Sequence, residues 1–287
     1  MKKLLLQLDT DPVPSVFDQV VAYDSGVDHI ISYGGVTPDK VENLVHGLMF
    51  TRGGKQLANS AIFLGGSHVS ASQQLAEAVK KCFFGSVRVS VMLDPNGANT
   101  TAAALARKIV GNYDIRAKKA VILAGTGPVG QRCALYLLKE GASEVVLTSR
   151  HISRSMAVAK EMQSRYQARI TPAESRSTED TRALLENAHV AITCGPPAVS
   201  LLPQSVWSAA LTLEIMADVN AVPPLGVEEM KVTDDGVERF GKRFYGAIAI
   251  GNFKMKIHRS SITSLFKSND CLLDEITIYD IACKIDE

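Results

Sequence analysis

The chain has 287 residues, 46% of them hydrophobic and 21% charged, a balance that buries a core and excludes a disordered chain. Lys and Arg number 31 against 30 Asp and Glu, a formal net charge of +1, so no bulk field draws the protein to nucleic acid or to an anionic membrane. Five widely spaced cysteines (Cys82, Cys133, Cys194, Cys271 and Cys283) form neither a zinc knuckle nor a disulfide framework, which suits a reducing cytoplasm.

The apolar run of Met1-Lys2-Lys3-Leu4-Leu5-Leu6-Gln7-Leu8-Asp9 is too short for a secretory core or a membrane span and predicts a first strand. Further short apolar runs at 29–32, 60–64 and 87–93 predict strands. Between them Val41, Leu44, Val45 and Leu48, then Leu75, Val79, Cys82 and Phe83, repeat at helical spacing. Thr37-Pro38-Asp39 reads as a cap with proline at the first helical position of the second helix. Asp94-Pro95-Asn96-Gly97 reads as a turn, after which Asn99 or Thr100 would cap an Ala-rich helix running to about Val110. Gly111-Asn112 closes that helix and is taken as the passage between domains.

From Lys119 a second series begins. It comprises a strand at 120–124, a helix at 131–139, a strand at 144–148, a long helix through Met156 and Met162, a helix near 178–186 and a strand at 189–193. A glycine-rich strand is expected at 243–251, helical spacing at 255–266 and a last helix at 274–284. Strands alternating with amphipathic helices predict an α/β protein with mostly parallel sheets, an N-terminal α/β series followed by a second, Rossmann-type one.

Gly125-Thr126-Gly127-Pro128-Val129-Gly130 directly follows an apolar strand and opens a helix, the context in which a glycine fingerprint marks dinucleotide binding. Gly125 serves the tight turn, Gly127 gives the pyrophosphate access to backbone, and Gly130 lets the helix pack on the strand. The helix N-terminus offers free N–H groups to phosphate. About twenty residues on, where NAD enzymes carry Asp or Glu, stand Thr148-Ser149-Arg150, with His151 and Arg154 beyond. An Arg beside a hydroxyl suits a 2′-phosphate, so NADP is expected, with NAD as a second cofactor. Cys194-Gly195-Pro196-Pro197 ends another apolar strand and is expected near the nicotinamide, with Cys194 as a small hydrophobe rather than a nucleophile. No spacing of His, Cys and carboxylate suggests a metal.

Beyond this fingerprint, Asp9-Thr10-Asp11, Pro14-Ser15-Val16-Phe17-Asp18, Thr51-Arg52-Gly53-Gly54-Lys55, Asn96-Gly97-x-Asn99-Thr100-Thr101, Leu202-Pro203-Gln204 and Lys254-x-Lys256-x-His258-Arg259 resemble methylene-tetrahydromethanopterin dehydrogenases of methylotrophic bacteria. The resemblance covers nearly the whole chain. It implies a fold similar to that of methylene-tetrahydrofolate dehydrogenases, with an N-terminal α/β substrate domain, a Rossmann-type NAD(P) domain and a C-terminal helix returning to the first domain; the expected domains are 1–111 with 270–287, and 112–269. It also implies oxidation of N5,N10-methylene-tetrahydromethanopterin to the methenyl form in one-carbon metabolism, and a homo-oligomer. A tetrahydromethanopterin-type carrier is the expected partner, without nucleic acid or membrane.

Hydride leaves a carbon flanked by two nitrogens whose lone pairs stabilise the cation, so positioning matters more than a strong base. Asp9, Asp11, Asp94 and Asn96 are candidates to bind the pterin edge, with turn roles as the alternative. Asn99 and Thr100 are candidates for the reacting centre, with helix capping as the alternative. Lys256, expected just after the glycine-rich strand, is the boldest catalytic assignment; a salt bridge is its alternative. His258 either lines the substrate site or packs in the interior. Arg52 and Lys55 either meet the anionic pterin tail or face solvent. A methylene-tetrahydrofolate dehydrogenase and a non-catalytic NADP-binding regulator are the rival functions.

Overall fold

Leucine- and valine-rich runs buried on both faces form the central parallel strands of two separate sheets in the computed structural model, which describes residues 1–285. In chain order the first unit contains β1 (Leu4–Asp9), α1 (Val16–Asp24), β2 (His29–Tyr33), α2 (Val41–Met49), β3 (Ser60–Gly65), α3 (Val69–Lys81) and β4 (Ser90–Leu93), and α4 (Ala98–Val110) leads out of it. Its core joins Leu6, Leu8, Ile62, Leu64 and Leu93 of the strands to Val45, Leu48, Leu75 and Val79 of α2 and α3. This is the pattern expected when crossover helices cover a parallel sheet.

The second series runs β5 (Lys119–Leu123), α5 (Pro128–Lys139), β6 (Glu144–Ser149), α6 (Ile152–Tyr166), β7 (Thr171–Glu174), α7 (Thr178–Leu184), β8 (Val190–Thr193), α8 (Gln204–Trp207), β9 (Ile215–Asp218), β10 (Asp235–Arg239) and β11 (Lys242–Tyr245). The chain closes with α9 (Ala247–Ser264), β12 (Leu272–Leu273) and α10 (Glu275–Ala282). The two sheets have the orders β12-β4-β3-β1-β2 and β10-β11-β9-β8-β5-β6-β7. Read outward from β5, the second is the doubly wound order of dinucleotide-binding domains, with β10 added antiparallel to β11. β12 pairs with β4, so the C-terminal segment does return to the first sheet.

The compact units are 1–100 with 255–287, and 101–254. The divisions therefore fall inside α4 and α9, whereas the sequence placed them at Gly111 and at 269. Gly111 does end a helix, but its loop is not where packing changes from one core to the other.

Three local expectations change. The glycine-rich segment 243–251 is a strand only as far as Tyr245, and from Ala247 it is helix. Ala249, Ile250, Phe253 and Ile257 are buried, a helical spacing that overrides the apparent alternation of Ala-Ile-Ala-Ile. Lys256 consequently lies in the third turn of α9 rather than at its opening. Thr37-Pro38-Asp39 makes a turn ahead of α2, closed by Lys40 N–H donating to Thr37 O at 3.0 Å, and the helix starts at Val41 without a side-chain cap. Asn99 and Thr100 lie within α4 rather than capping it, for the reason given below.

Candidate active site

At the end of β5 the chain reaches Ala124 in a left-handed conformation (φ 51°), and Gly125 N–H donates to Thr148 O at 3.1 Å. This bond ties the turn to β6. A side chain at Gly130 would put its Cβ 2.3 Å from the backbone oxygen of Gly125, so the first turn of α5 lies against the loop at a distance only glycine permits. Gly127 differs. It is the N-cap of α5 and makes no side-chain cap, and a Cβ built there meets nothing within 4 Å. Pro128 occupies the first helical turn, where its missing N–H is no loss. Thr126, Val129 and Gly130 complete an uncapped helix N-terminus whose open side suits a phosphate.

Beside this turn lies a cavity of about 150 Å³ bounded by Leu123, Ala124, Thr148, Ser149, Arg150, Ser175 and Pro196, among others. It brings together the ends of β5, β6 and β7 and the Pro196 loop, as an adenosine site of a doubly wound sheet requires. Ser149 is buried and Arg150 exposed; no carboxylate lines the cavity. Arg154 is exposed on α6 and is not among the lining residues.

Sequence reasoning missed Arg176. Its Nε donates to Arg150 O and its Nη2 to Glu174 Oε1, each at 2.9 Å. Glu174 Oε1 also accepts Ile152 N–H at 2.9 Å, at the start of α6. A second guanidinium thus stands next to Arg150, and the nearby carboxylate is already engaged. Arg176 comes from the loop after β7, so spacing from the glycine turn gives no hint of it.

At β8, Cys194 N–H donates to Leu123 O at 3.0 Å. Burial, with Asp218 adding to it, pushes the Cys194 thiol up to about 12; it is no thiolate at neutral pH. Gly195 has Leu201 against it, 2.5 Å from where a Cβ would lie, and its carbonyl accepts from Asn220 Nδ2 at 2.9 Å. Buried Asp218 fixes this edge by accepting from Asn220 N–H (3.0 Å) and Gly226 N–H (2.6 Å).

The first unit presents a different end to β4. Pro95, Asn96 and Gly97 form a short 3-10 turn with Asn96 left-handed (φ 52°). The turn swings Asp94 so that its carboxylate accepts Asn99 N–H at 2.8 Å, Thr100 N–H at 3.1 Å and Thr100 Oγ1–H at 2.6 Å. Asn99 Nδ2 donates in turn to Leu93 O at 2.5 Å. Asp94, Asn99 and Thr100 are fully buried, whereas Asn96 is exposed. Asp94 is therefore the group that serves the start of α4, and Asn96 alone of this set reaches solvent.

Asp9, at the end of β1, accepts from Asp11 N–H (2.9 Å) and Ser15 N–H (3.2 Å), and burial raises its pKa above the ordinary carboxylate value. Asp11 is half-buried and accepts from both the N–H and the Oγ of Ser67, each at 2.9 Å, which ties the β1 and β3 ends together. His258 is fully buried, stacked on Phe63 at 5.8 Å, with Nε2 3.9 Å from Asp18 Oδ1. Its surroundings are the packed alternative rather than a lining. Lys256 is exposed on α9. Arg52 donates to Asn59 O, Ser60 Oγ and Lys2 O, at the opposite end of the strands from Asp9 and Asn96. Among the described residues, no three His, Cys or acidic side chains group as a metal site, and no helix is long and apolar enough to cross a membrane.

Residues 16–96 match the N-terminal family of methylene-tetrahydromethanopterin dehydrogenase, and residues 104–224 match the shikimate/quinate 5-dehydrogenase family. The chain is 48% identical over 284 residues to the bifunctional protein MdtA of Methylorubrum extorquens, covering 98% of each chain. It is 30% identical over 280 residues to the NAD(P)-dependent methylenetetrahydromethanopterin dehydrogenase of the same organism, covering 94% of each. The chain belongs to the methylene-tetrahydromethanopterin dehydrogenase family. The shikimate 5-dehydrogenase of Listeria monocytogenes shares the fold of this family member, with a TM-score of 0.52 at 13% identity over 98% of this chain and 96% of that one. The 5-ketofructose reductase of a Gluconobacter strain does so with a TM-score of 0.51 at 14% identity, over 100% and 99%. Both likenesses concern architecture alone. For this member of the methylene-tetrahydromethanopterin dehydrogenases, the glycine turn, the cavity at the ends of β5, β6 and β7 and the doubly wound order all fit a nicotinamide dinucleotide.

Proposed function

We propose that the protein oxidises N5,N10-methylene-tetrahydromethanopterin to the methenyl form in one-carbon metabolism, with NADP as the preferred acceptor. The observation that carries this reading is the full-length relationship to the bifunctional protein MdtA and to the NAD(P)-dependent methylenetetrahydromethanopterin dehydrogenase of Methylorubrum extorquens, joined to an uncapped α5 N-terminus of the kind that binds pyrophosphate. NADP, when bound, supplies the hydride acceptor. Gly125, Thr126, Gly127, Pro128, Val129 and Gly130 hold the pyrophosphate. Ser149 and Arg150, with Arg176 beside them, receive the 2′-phosphate through charge-assisted bonds. Cys194 and Gly195 border the nicotinamide half without covalent chemistry.

Asn96 offers its amide to the pterin, Asp9 and Asp11 hold the neighbouring loop in place, and Asp94, Asn99 and Thr100 keep Asn96 presented. Lys256 orients the substrate through its ammonium donors. In this division of labour the first unit recognises the pterin and the second the cofactor. The protein works as a self-associated cytoplasmic enzyme, independent of nucleic acid and membranes.

The test is a steady-state assay of methenyl-pterin absorbance with NADP and NAD, on wild type and Arg150→Asp. Wild type turns over the pterin with a higher kcat/KM for NADP. Arg150→Asp loses roughly tenfold or more with NADP and little with NAD, because repulsion replaces a phosphate contact. No turnover with either nucleotide would remove the enzymatic reading; equal use of both would remove the role of Arg150.

A further inference from the structure

In a doubly wound sheet the two halves of a dinucleotide fall on either side of the strand that carries the glycine turn. On the β6 and β7 side of β5 stand Arg150 and Arg176. At the ends of β8 and β9, on the nicotinamide side, the charge has the opposite sign. Asp218 closes β9 with no accessible surface. Its carboxylate meets backbone, with Oδ1 accepting Asn220 N–H at 3.0 Å and Oδ2 accepting Gly226 N–H at 2.6 Å. Among the described residues no cation pairs with it. A Cβ on Gly226 would lie 2.5 Å from Thr193 Oγ1 and 3.0 Å from Asp218 Oδ1, so the Gly226 backbone roofs the carboxylate.

Tying a loop takes acceptor oxygens rather than a full charge, and burying an anion without a counter-ion is costly. The charge is also close to the edge that faces the cofactor. Asp218 is the register partner of Thr193 on β8, and Cys194 and Gly195 follow directly. Asn220, two residues beyond Asp218, donates its Nδ2 to Gly195 O at 2.9 Å. Asp218 adds to the upward push that burial gives the Cys194 thiol, so its field is felt at the end of β8.

An oxidised nicotinamide ring carries a positive charge and loses it on accepting hydride. A fixed anion in a water-excluded setting favours the charged form over the neutral one. We infer that Asp218 is an electrostatic specificity residue, whose buried charge makes the protein bind NADP⁺ in preference to NADPH. It acts across the strand ends rather than by contact, so it is not a catalytic residue. The bias suits the direction proposed above, because it favours loading of the acceptor and release of the reduced product. Asp218 has this role only if the site takes a nicotinamide dinucleotide, as read above.

The experiment is calorimetric titration of the full chain with NADP⁺ and with NADPH, as wild type, Asp218→Asn and Asn220→Ala. Wild type is expected to bind NADP⁺ the more tightly. Asp218→Asn removes the charge and should lower the ratio of the two affinities by about tenfold or more, chiefly by weakening NADP⁺. Asn220→Ala unties Gly195 but keeps the charge, so both affinities should fall together and their ratio should hold. Equal weakening of both nucleotides in Asp218→Asn would make Asp218 a loop tie and overturn its electrostatic role. So would a shift of the ratio in Asn220→Ala as large as that in Asp218→Asn. If Asp218→Asn does not fold, the wild-type ratio decides, and tighter binding of NADPH overturns the role. A wild type that binds neither nucleotide removes the dinucleotide reading itself, and this role with it.

Discussion

At the C-terminal ends of β4 and β5 the chain turns into a helix through one left-handed non-glycine residue, Asn96 (φ 52°) in the first unit and Ala124 (φ 51°) in the second. Beyond that point the two turns part. After β4 the Asp94 carboxylate accepts the N–H groups of Asn99 and Thr100, so the protein fills that helix N-terminus with its own anion. After β5 the N-cap is Gly127, without a side-chain cap and with open space where a Cβ would lie. A helix start that the chain has already neutralised is ill suited to a phosphate; one left uncapped attracts it. Two similar turns thus acquire different ligands through one residue: a carboxylate in one, its absence in the other.

The largest expected effect comes from closing the second turn. Gly130→Val places a Cβ 2.3 Å from a backbone oxygen, so the α5–loop contact must open. Overpacking of this kind costs about 1–3 kcal/mol, and NADPH titration should show affinity falling up to roughly a hundredfold. Asp94→Ala acts on the first turn. It removes three hydrogen bonds from a buried site, and denaturant unfolding should show a loss of about 2–4 kcal/mol. Unchanged stability would mean that the Asp94 network does not hold the start of α4.

Lys256→Met keeps most of the stem and loses the ammonium. Loss of one charged hydrogen bond formed in the transition state is worth about 1.5–3 kcal/mol, or ten- to hundredfold in kcat. Nucleotide affinity should hold, since the phosphates are served elsewhere. Wild-type kinetics would make Lys256 structural, and the assignment would pass to Asn96.

The smallest effect concerns Asp9. Its folded pKa is raised, chiefly by burial, so the native state favours the protonated acid. Wild-type stability from this group is present below the ordinary carboxylate pKa and is lost as pH rises through the elevated folded value. Asp9→Asn does not titrate. Its Tm relative to wild type should therefore increase from acid toward neutral pH; a difference flat with pH would place the effect elsewhere.

The contrast between the turns also explains what could be read without coordinates. The glycine turn is local: a strand, three glycines at fixed spacing and a helix fall within a dozen residues, and the two-domain α/β layout follows the apolar period. The role of Asp94 was hidden because it depends on Asn96 being left-handed, a property of the folded turn that Asp-Pro-Asn-Gly only permits. Asn99 and Thr100 looked like caps because their residue types cap helices, yet the cap lies five residues upstream. Ala247-Ile248-Ala249-Ile250-Gly251 suits a strand by alternation and a helix by burial, and tertiary packing selected the helix. Arg176 reaches Arg150 from the loop after β7, a proximity that no spacing along the chain encodes.

The division between the two turns is tested most directly by measuring NADPH dissociation constant and pterin KM together in Gly127→Ala and Asn96→Gly. Gly127 has backbone angles that alanine adopts (φ −77°, ψ 169°) and open space around it. Glycine at 96 tolerates the left-handed turn and deletes only the amide, so both variants should fold. The expected result is crossed: Gly127→Ala weakens NADPH roughly tenfold and leaves the pterin KM unchanged, while Asn96→Gly raises the pterin KM and leaves NADPH unchanged. If one variant moved both constants together, or if Asn96→Gly moved NADPH alone, the separation of pterin and phosphate recognition would be contradicted.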